Sequence, residues 1–227
     1  MKNNLRRLFY AAPVVLLLLL AACEKEDTGN TPQTVTDADG NVYQTVKIGD
    51  QVWLKENLKV THYNDGSAIP YIADATDWQN ATGAAYCNFN NDSATAVTYG
   101  KLYNWAAVNS GKLCPAGWHV PSQAEWAQLE TVLNSDGGSL KEAGTTHWLS
   151  PNEGATNGSG FTALPAGYRS YLGTFSALTY QGQWWSTTLG SDTAYYAKYY
   201  YVDFSFAGIY DNEDWRTAGH SVRCIKD

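Results

Sequence analysis

Residues 113–130 read LCPAGWHVPSQAEWAQLE, and this stretch decides the fold. Pro115 and Pro121 frame a corner. Ser122 and Glu125 follow as a Ser-x-x-Glu capping box, in which the hydroxyl accepts from an orphan amide of the first turn and the carboxylate reaches back to the cap's own amide. Trp126, Leu129 and Leu133 recur at i, i+3 and i+7 and give one apolar stripe, the mark of a single amphipathic helix. Gly137-Gly138 is expected to end it. Cys114, Trp118 and His119 lie just upstream, so the helix is tied to a core holding a thiol and large aromatics. His119 reads as a core histidine.

Outward from this helix the patterns change. Upstream, Asp39-Gly40 is a hairpin turn between strand formers. A second hairpin reads as 43–48, Gly49-Asp50 and 51–54, with Val46 and Ile48 facing inward. Residues 63–92 are a loop-rich insertion that Tyr71, Trp78, Tyr86 and Phe89 are expected to pin down. In 99–108, Leu102, Trp105 and Ala106 share a face, which predicts a short helix, and 139–143 suggests another helical turn. Downstream, 161–169, 182–188, 194–206 and 221–225 are strand-like runs separated by Gly, Ser, Asn and Asp. Helices early and strands late predict an α+β class with short strands, about two helices and long ordered loops. Arg169 and Arg223 lie inside these runs and are expected to be partly buried and paired with acids.

The N-terminus carries its own signal. Lys2, Arg6 and Arg7 precede the apolar run 14–20, and Leu20-Ala21-Ala22 leads directly to Cys23. This is the form of a bacterial lipoprotein signal, and the apolar run is too short to span a bilayer of about 30 Å. The expected organisation is a signal over 1–23 ending at a lipidated Cys23, a polar tether over 24–34, and one domain over 35–227. Glu24-Lys25-Glu26-Asp27 resembles the acidic tag of surface-exported lipoproteins, so an outer-membrane protein facing the cell exterior is expected. The 15 basic residues less those three leave 12 against 22 acids, a formal charge of −10 for the mature chain. No Lys/Arg cluster is present, which argues against nucleic acid as a partner.

Cysteine usage fits export. Beyond Cys23 there remain Cys87, Cys114 and Cys224, and three thiols leave one over. Cys114 and Cys224 flank most of the domain and are the expected pair, closing a loop worth about 4–5 kcal/mol in the chain-entropy model. No Cys-x-x-Cys or His-x-x-x-His spacing supports a metal site.

Six segments then coincide with a known pattern: 99–105 (YGKLYNW), 113–122 (LCPAGWHVPS), Glu125-Trp126, 164–169 (LPAGYR), 182–188 (GQWWSTT) and 221–227 (SVRCIKD). In order and spacing the chain resembles the Fibrobacter succinogenes major paralogous domain (FISUMP). More distantly it is similar to the C-type-lectin-like and formylglycine-generating-enzyme-like folds. The resemblance implies a single C-type-lectin-like domain and carries no general activity. The oxidase relatives bind copper through two nearby cysteines, whereas here Cys224 stands alone in its strand.

No catalytic constellation is legible. His62, His119, His147 and His220 neighbour no nucleophile elbow or metal spacing. Two oxygen-rich runs, Asn88/Asn90/Asn91/Asp92 and 211–214, follow no EF-hand spacing and read as turns. The lectin-like resemblance leaves calcium open, but no cofactor is expected. The binding reading rests on nine Trp and sixteen Tyr, whose amphipathic rings suit sugar faces and protein hot spots. Alternation over 194–206 places Tyr195, Tyr199 and Tyr201 on one face, with Tyr196, Tyr200, Val202 and Phe204 on the other. One of Trp184-Trp185 is expected in the core, with Trp185 lining a groove. The expected function is non-catalytic recognition of a glycan or surface protein by Tyr195, Tyr199, Tyr201 and Trp185. The alternative is a structural subunit of a surface or fimbrial assembly.

Overall fold

A computed structural model describes residues 33–227, and the signal, Cys23 and the tether as far as residue 32 lie outside the described residues. Contacts group Pro32–Asp227 as one unit. The capping box forms: Glu125 N donates to Ser122 Oγ at 3.4 Å and Ser122 N donates to Glu125 Oε2 at 2.7 Å. The helix ends sooner than its glycines suggest. Leu133 is its C-cap, and Asn134 and Ser135 take the left-handed conformation. Gly137 and Gly138 answer a different need, because a Cβ on either would strike the backbone carbonyl of Gly208 or Gly154.

In chain order the elements are β1 (Thr34–Thr36), β2 (Val42–Ile48), β3 (Gln51–Leu54), α1 (Ala75–Gln79), β4 (Tyr86–Cys87), α2 (Ser93–Tyr99), β5 (Leu102–Tyr103), α3 (Trp105–Val108), β6 (Trp118–His119), α4 (Gln123–Val132), β7 (Ala166–Arg169), β8 (Phe175–Leu178), β9 (Gln181–Leu189), β10 (Tyr196–Asp203), β11 (Tyr210–Trp215) and β12 (Ile225–Lys226). The class is α+β, as expected. The described residues hold four short α-helices instead of two, because the 63–92 insertion contains α1 and leads into α2. Asp74 and Asp92 start those helices by accepting from first-turn amides, a cap that outweighs a weak apolar pattern.

Among the described residues the strands form four antiparallel sheets. A five-stranded sheet runs β1-β2-β3-β12-β6, a three-stranded sheet runs β11-β10-β9, and β4-β5 and β7-β8 are hairpin-like pairs. β12 brings the C-terminus between β3 and β6, with Ile225 opposite both Trp53 and His119. Beside it Cys224 is bonded to Cys114, while Cys87 is free and buried.

Several strands are buried on both faces. On β3, Trp53 belongs to a cluster with Trp126, Phe161, Trp184 and Tyr200, while adjacent Leu54 belongs to one with Tyr43, Tyr103, Trp105 and Cys224. On β9, Trp184 and Trp185 divide the same way. Two outcomes follow: Tyr43, out of phase with the inward Val46 and Ile48, is buried too, and Trp185, expected to line a groove, is as buried as Trp184. Two-residue alternation separates faces but does not say how many faces are covered. In the insertion Trp78 and Phe89 are buried as expected, but Tyr71 stays exposed.

The buried arginines differ from expectation as well. Neither pairs with an acid. Arg169 donates to the carbonyls of Ile72, Ala73, Asp74 and Gly173 and lies 4.5 Å from the Trp78 ring centroid. Arg223 donates to the carbonyls of Leu54, Lys55 and Phe161 and to Asn57 Oδ1. Each guanidinium gathers several backbone carbonyls, most of them in loops, the backbone accounting that an irregular interior demands.

Candidate functional site

The three-stranded sheet has one face in the core and one facing a groove. Cross-strand registers put Tyr201 opposite Gln183 and Tyr210, and Tyr199 opposite Trp185 and Asn212. At one end this outer face is closed: Trp185 and Ala197 pack into the disulfide-side cluster. At the other end it is open. A cavity of about 400 Å³ has Gln181, Gln183 and Tyr199 on its floor, Tyr168, Ser170 and Tyr171 from β7 and the loop after it on one wall, and Glu213, Asp214 and Trp215 of β11 on the other. Its size falls in the range of ligand sites, roughly 300–1,000 Å³.

The groove continues in both directions. A cavity of about 340 Å³ toward Ser176, Tyr180 and Asp203 shares Tyr168 and Gln181 with it. Another of about 360 Å³ toward Tyr195 and Arg216 shares Tyr171 and Trp215. Aromatic edges and faces therefore recur along it. Tyr171 and Trp215 lie 5.0 Å apart, and Tyr195 packs on Trp215 at 5.6 Å.

A buried imidazole supports the floor. His220 is fully buried, stacked on Tyr199 at 4.6 Å and on Tyr168 at 5.7 Å, with the Trp185 ring edge-on at 4.3 Å. Its Nε2 lies 3.0 Å from Asp214 Oδ2, so one ring fixes two tyrosines and one carboxylate of the groove. Burial, then the nearby Asp214 charge, pushes the Tyr199 phenol well above its ordinary value. Tyr199 is therefore a neutral hydroxyl at neutral pH. The Ser191 hydroxyl and amide, with Lys198 assisting, hold Glu213 down at about 2, so this carboxylate is charged at neutral pH.

The predicted residues divide. Tyr199 lines the central cavity and Tyr195 its extension. Tyr201 sits between Tyr199 and Tyr210 at 5.9 and 5.4 Å. Trp185 is corrected: it is wholly buried, donates to the Tyr103 carbonyl, and acts on the groove only through His220 and Tyr199. Tyr168, Tyr171, Gln181, Gln183, Trp215 and His220 were missed. The alternation around 182–188 could have placed Gln181 and Gln183 beside Tyr199 and Tyr201. No local pattern marks Tyr171 or Trp215.

The other candidates are already engaged in structure. Asp92 caps α2, Asn91 donates to the Ala73 carbonyl, and Lys198 binds both Asp211 and Glu213. Among the described residues no three His, Cys, Asp or Glu side chains converge as metal ligands. His119 is corrected as well. It is partly exposed and bridges Glu125 and Asp227 at 2.7 and 2.6 Å instead of lying in the core. Burial pushes the Cys87 thiol up to about 12, which removes its nucleophilicity. A second cleft of about 250 Å³ has Asn57 and Arg223 in its lining. Their polar atoms already serve Trp184 and the backbone, so it offers a ligand less.

The described residues form an α+β domain with a polar, ring-edged groove. Over residues 46–226 the chain matches the Fibrobacter succinogenes major domain, and it belongs to that family. No curated protein and no solved structure matches it.

Proposed function

We propose that this chain is a lipid-anchored recognition protein of the bacterial surface that binds saccharide in the groove over β9, β10 and β11. One observation carries the reading: tyrosine and tryptophan rings alternate with amide and carboxylate groups along an open trough. Sugar rings present apolar C–H faces and a rim of hydroxyls, and such a trough matches both. The anchor rests on Leu20-Ala21-Ala22-Cys23 and the surface position on the acidic tag after it. The distant C-type-lectin-like resemblance points the same way, with no calcium invoked.

The test is a glycan array with the folded protein, followed by titration of the hits. Binding in the micromolar-to-millimolar range is expected, and it should weaken at least tenfold in Tyr171→Ala. That ring stands in the groove wall and its loss opens no core cavity. A flat array from protein with an intact melting transition would sink the reading. Protease shaving of whole cells tests the surface position, and full protection would remove it.

A further inference from the structure

The charged groups of the central cavity are of one sign, and a buried acceptor joins them. Gln183 is only 3% exposed, yet it lines the central cavity. Its Nε2 donates to Gln181 Oε1 at 2.6 Å, and Gln181 Nε2 donates onward to Asp203 Oδ2 at 2.7 Å. This relay fixes the orientation of both amides, and the Gln183 Oε1 acceptor is left without a hydrogen-bond partner. Both oxygens of Asp203 are already engaged, because its Oδ1 accepts from the Ser205 amide and hydroxyl. A buried acceptor without a donor is an unfavourable state that an incoming donor relieves.

The rest of the lining agrees in sign. Asp214 and Glu213 present carboxylates, and neither Lys nor Arg lines the central cavity or its extension toward Tyr180. Lys198 is held by Asp211 and Glu213, and Arg216 lies over the Trp105 ring at the far end. The donors of the lining are neutral ones: the Tyr and Ser hydroxyls, the Trp215 indole N–H and the remaining amide protons of Gln181 and Gln183. An anionic ligand would bring a charge to Asp214, which no Lys or Arg pairs, beside a Glu213 that already holds Lys198.

We propose that the groove selects a donor-rich saccharide chain, neutral or amine-bearing, and refuses acidic ones. Gln183 Oε1 accepts from a hydroxyl or ammonium of the ring at the centre. Because the flanking cavities share walls with the central one, the ligand lies along the groove with more than one ring in contact. This rests on the saccharide reading above and narrows it to a ligand class.

Calorimetric titration of the full chain in detergent tests it with matched tetrasaccharides: neutral ones of glucose, mannose and xylose, an amine-bearing one of glucosamine, and an acidic one of galacturonate. At least one neutral or amine-bearing tetramer should bind, tighter than its monosaccharide, with the acidic tetramer about tenfold weaker or worse. Gln183→Met keeps length and shape but removes the acceptor, together with the amide N–H that donates to Gln181 Oε1. It should lose about tenfold in affinity, with a small fall in melting temperature from the lost bond to Gln181. Asp214→Asn should narrow the gap between acidic and neutral ligands. If no tetramer binds, the saccharide reading falls and this inference with it. If the acidic tetramer binds as well as the neutral ones, or Gln183→Met binds unchanged, the saccharide reading stands and this inference is overturned.

Discussion

The two faces of the β9-β10-β11 sheet are built from alternate residues of the same strands, yet they obey different rules. On the inner face Trp184, Tyr200 and Val202 meet Trp126 and Phe161, with Trp126 stacked on Tyr200 at 5.0 Å. Every large side chain there is enclosed, and the Trp184 indole finds Asn57 Oδ1 at 2.8 Å. On the outer face Gln181, Gln183, Tyr199 and Asp214 keep polar atoms near an open trough, and one buried acceptor goes unsatisfied. The inner face has an unpaired group of its own, the Trp126 indole N–H, but that one is sealed among packed rings, whereas Gln183 lines a cavity.

The contrast makes its largest demand on the inner face. Trp184→Ala should destabilise the domain by about 3–5 kcal/mol, the usual range for emptying an aromatic site in a packed core, measured by urea unfolding. Tyr171→Ala, on the outer wall, should change the same measurement by about 1 kcal/mol or less while binding falls at least tenfold. Equal unfolding losses from the two would erase the distinction between faces.

Replacing both Cys114 and Cys224 by serine should cost about 2–5 kcal/mol, because the bond closes a separation of 110 residues. It packs against the closed end of the outer face and lines no part of the trough. Groove affinity of the folded fraction should therefore be unchanged, and a parallel loss of affinity would mean that the trough depends on the terminal strand more than its residues indicate.

The inner face was the legible one. The capping box, the Trp126-Leu129 stripe and the Tyr200-Val202 alternation follow from period and chemistry, and the core they imply is the core that forms. The outer face was legible only in Tyr195, Tyr199 and Tyr201. Its walls come from 168–171 and from Trp215, segments far apart in sequence and without periodicity, so only the packing of β7 on β9 brings them together. Trp185 was misread because alternation reports a face, and a second covered face looks the same as an exposed one. Lys141 was hidden for a related reason. It is wholly buried, with Nζ donating to the carbonyls of Glu153, Asp203 and Phe206. Nothing local says that three loop carbonyls will converge there.

The smallest effect lies outside both faces, at the join of α4, β6 and the C-terminus. Burial pushes the His119 imidazole down, but its hydrogen bonds to Asp227 and Glu125 outweigh this and hold it above its ordinary value. Burial pushes the Glu125 carboxyl up, but the Ser122 amide and His119 outweigh this and hold it below. A raised histidine contributes stability that is complete below its unfolded value of about 6.5 and is lost as pH rises through the folded value. A lowered carboxylate contributes above its unfolded value of about 4.3, and that share is lost as pH falls through the folded value. The cluster therefore stabilises most between roughly pH 4.5 and 6.5. The His119 side chain is 40% exposed and Asp227 61%, so solvent screening limits the effect to about 0.5 kcal/mol. His119→Gln should flatten the stability profile above pH 6.5, lower it modestly at pH 5.5, and leave groove affinity untouched at either pH. A shift in affinity would show that the capped helix and the outer face are coupled, which the separation of the two clusters argues against.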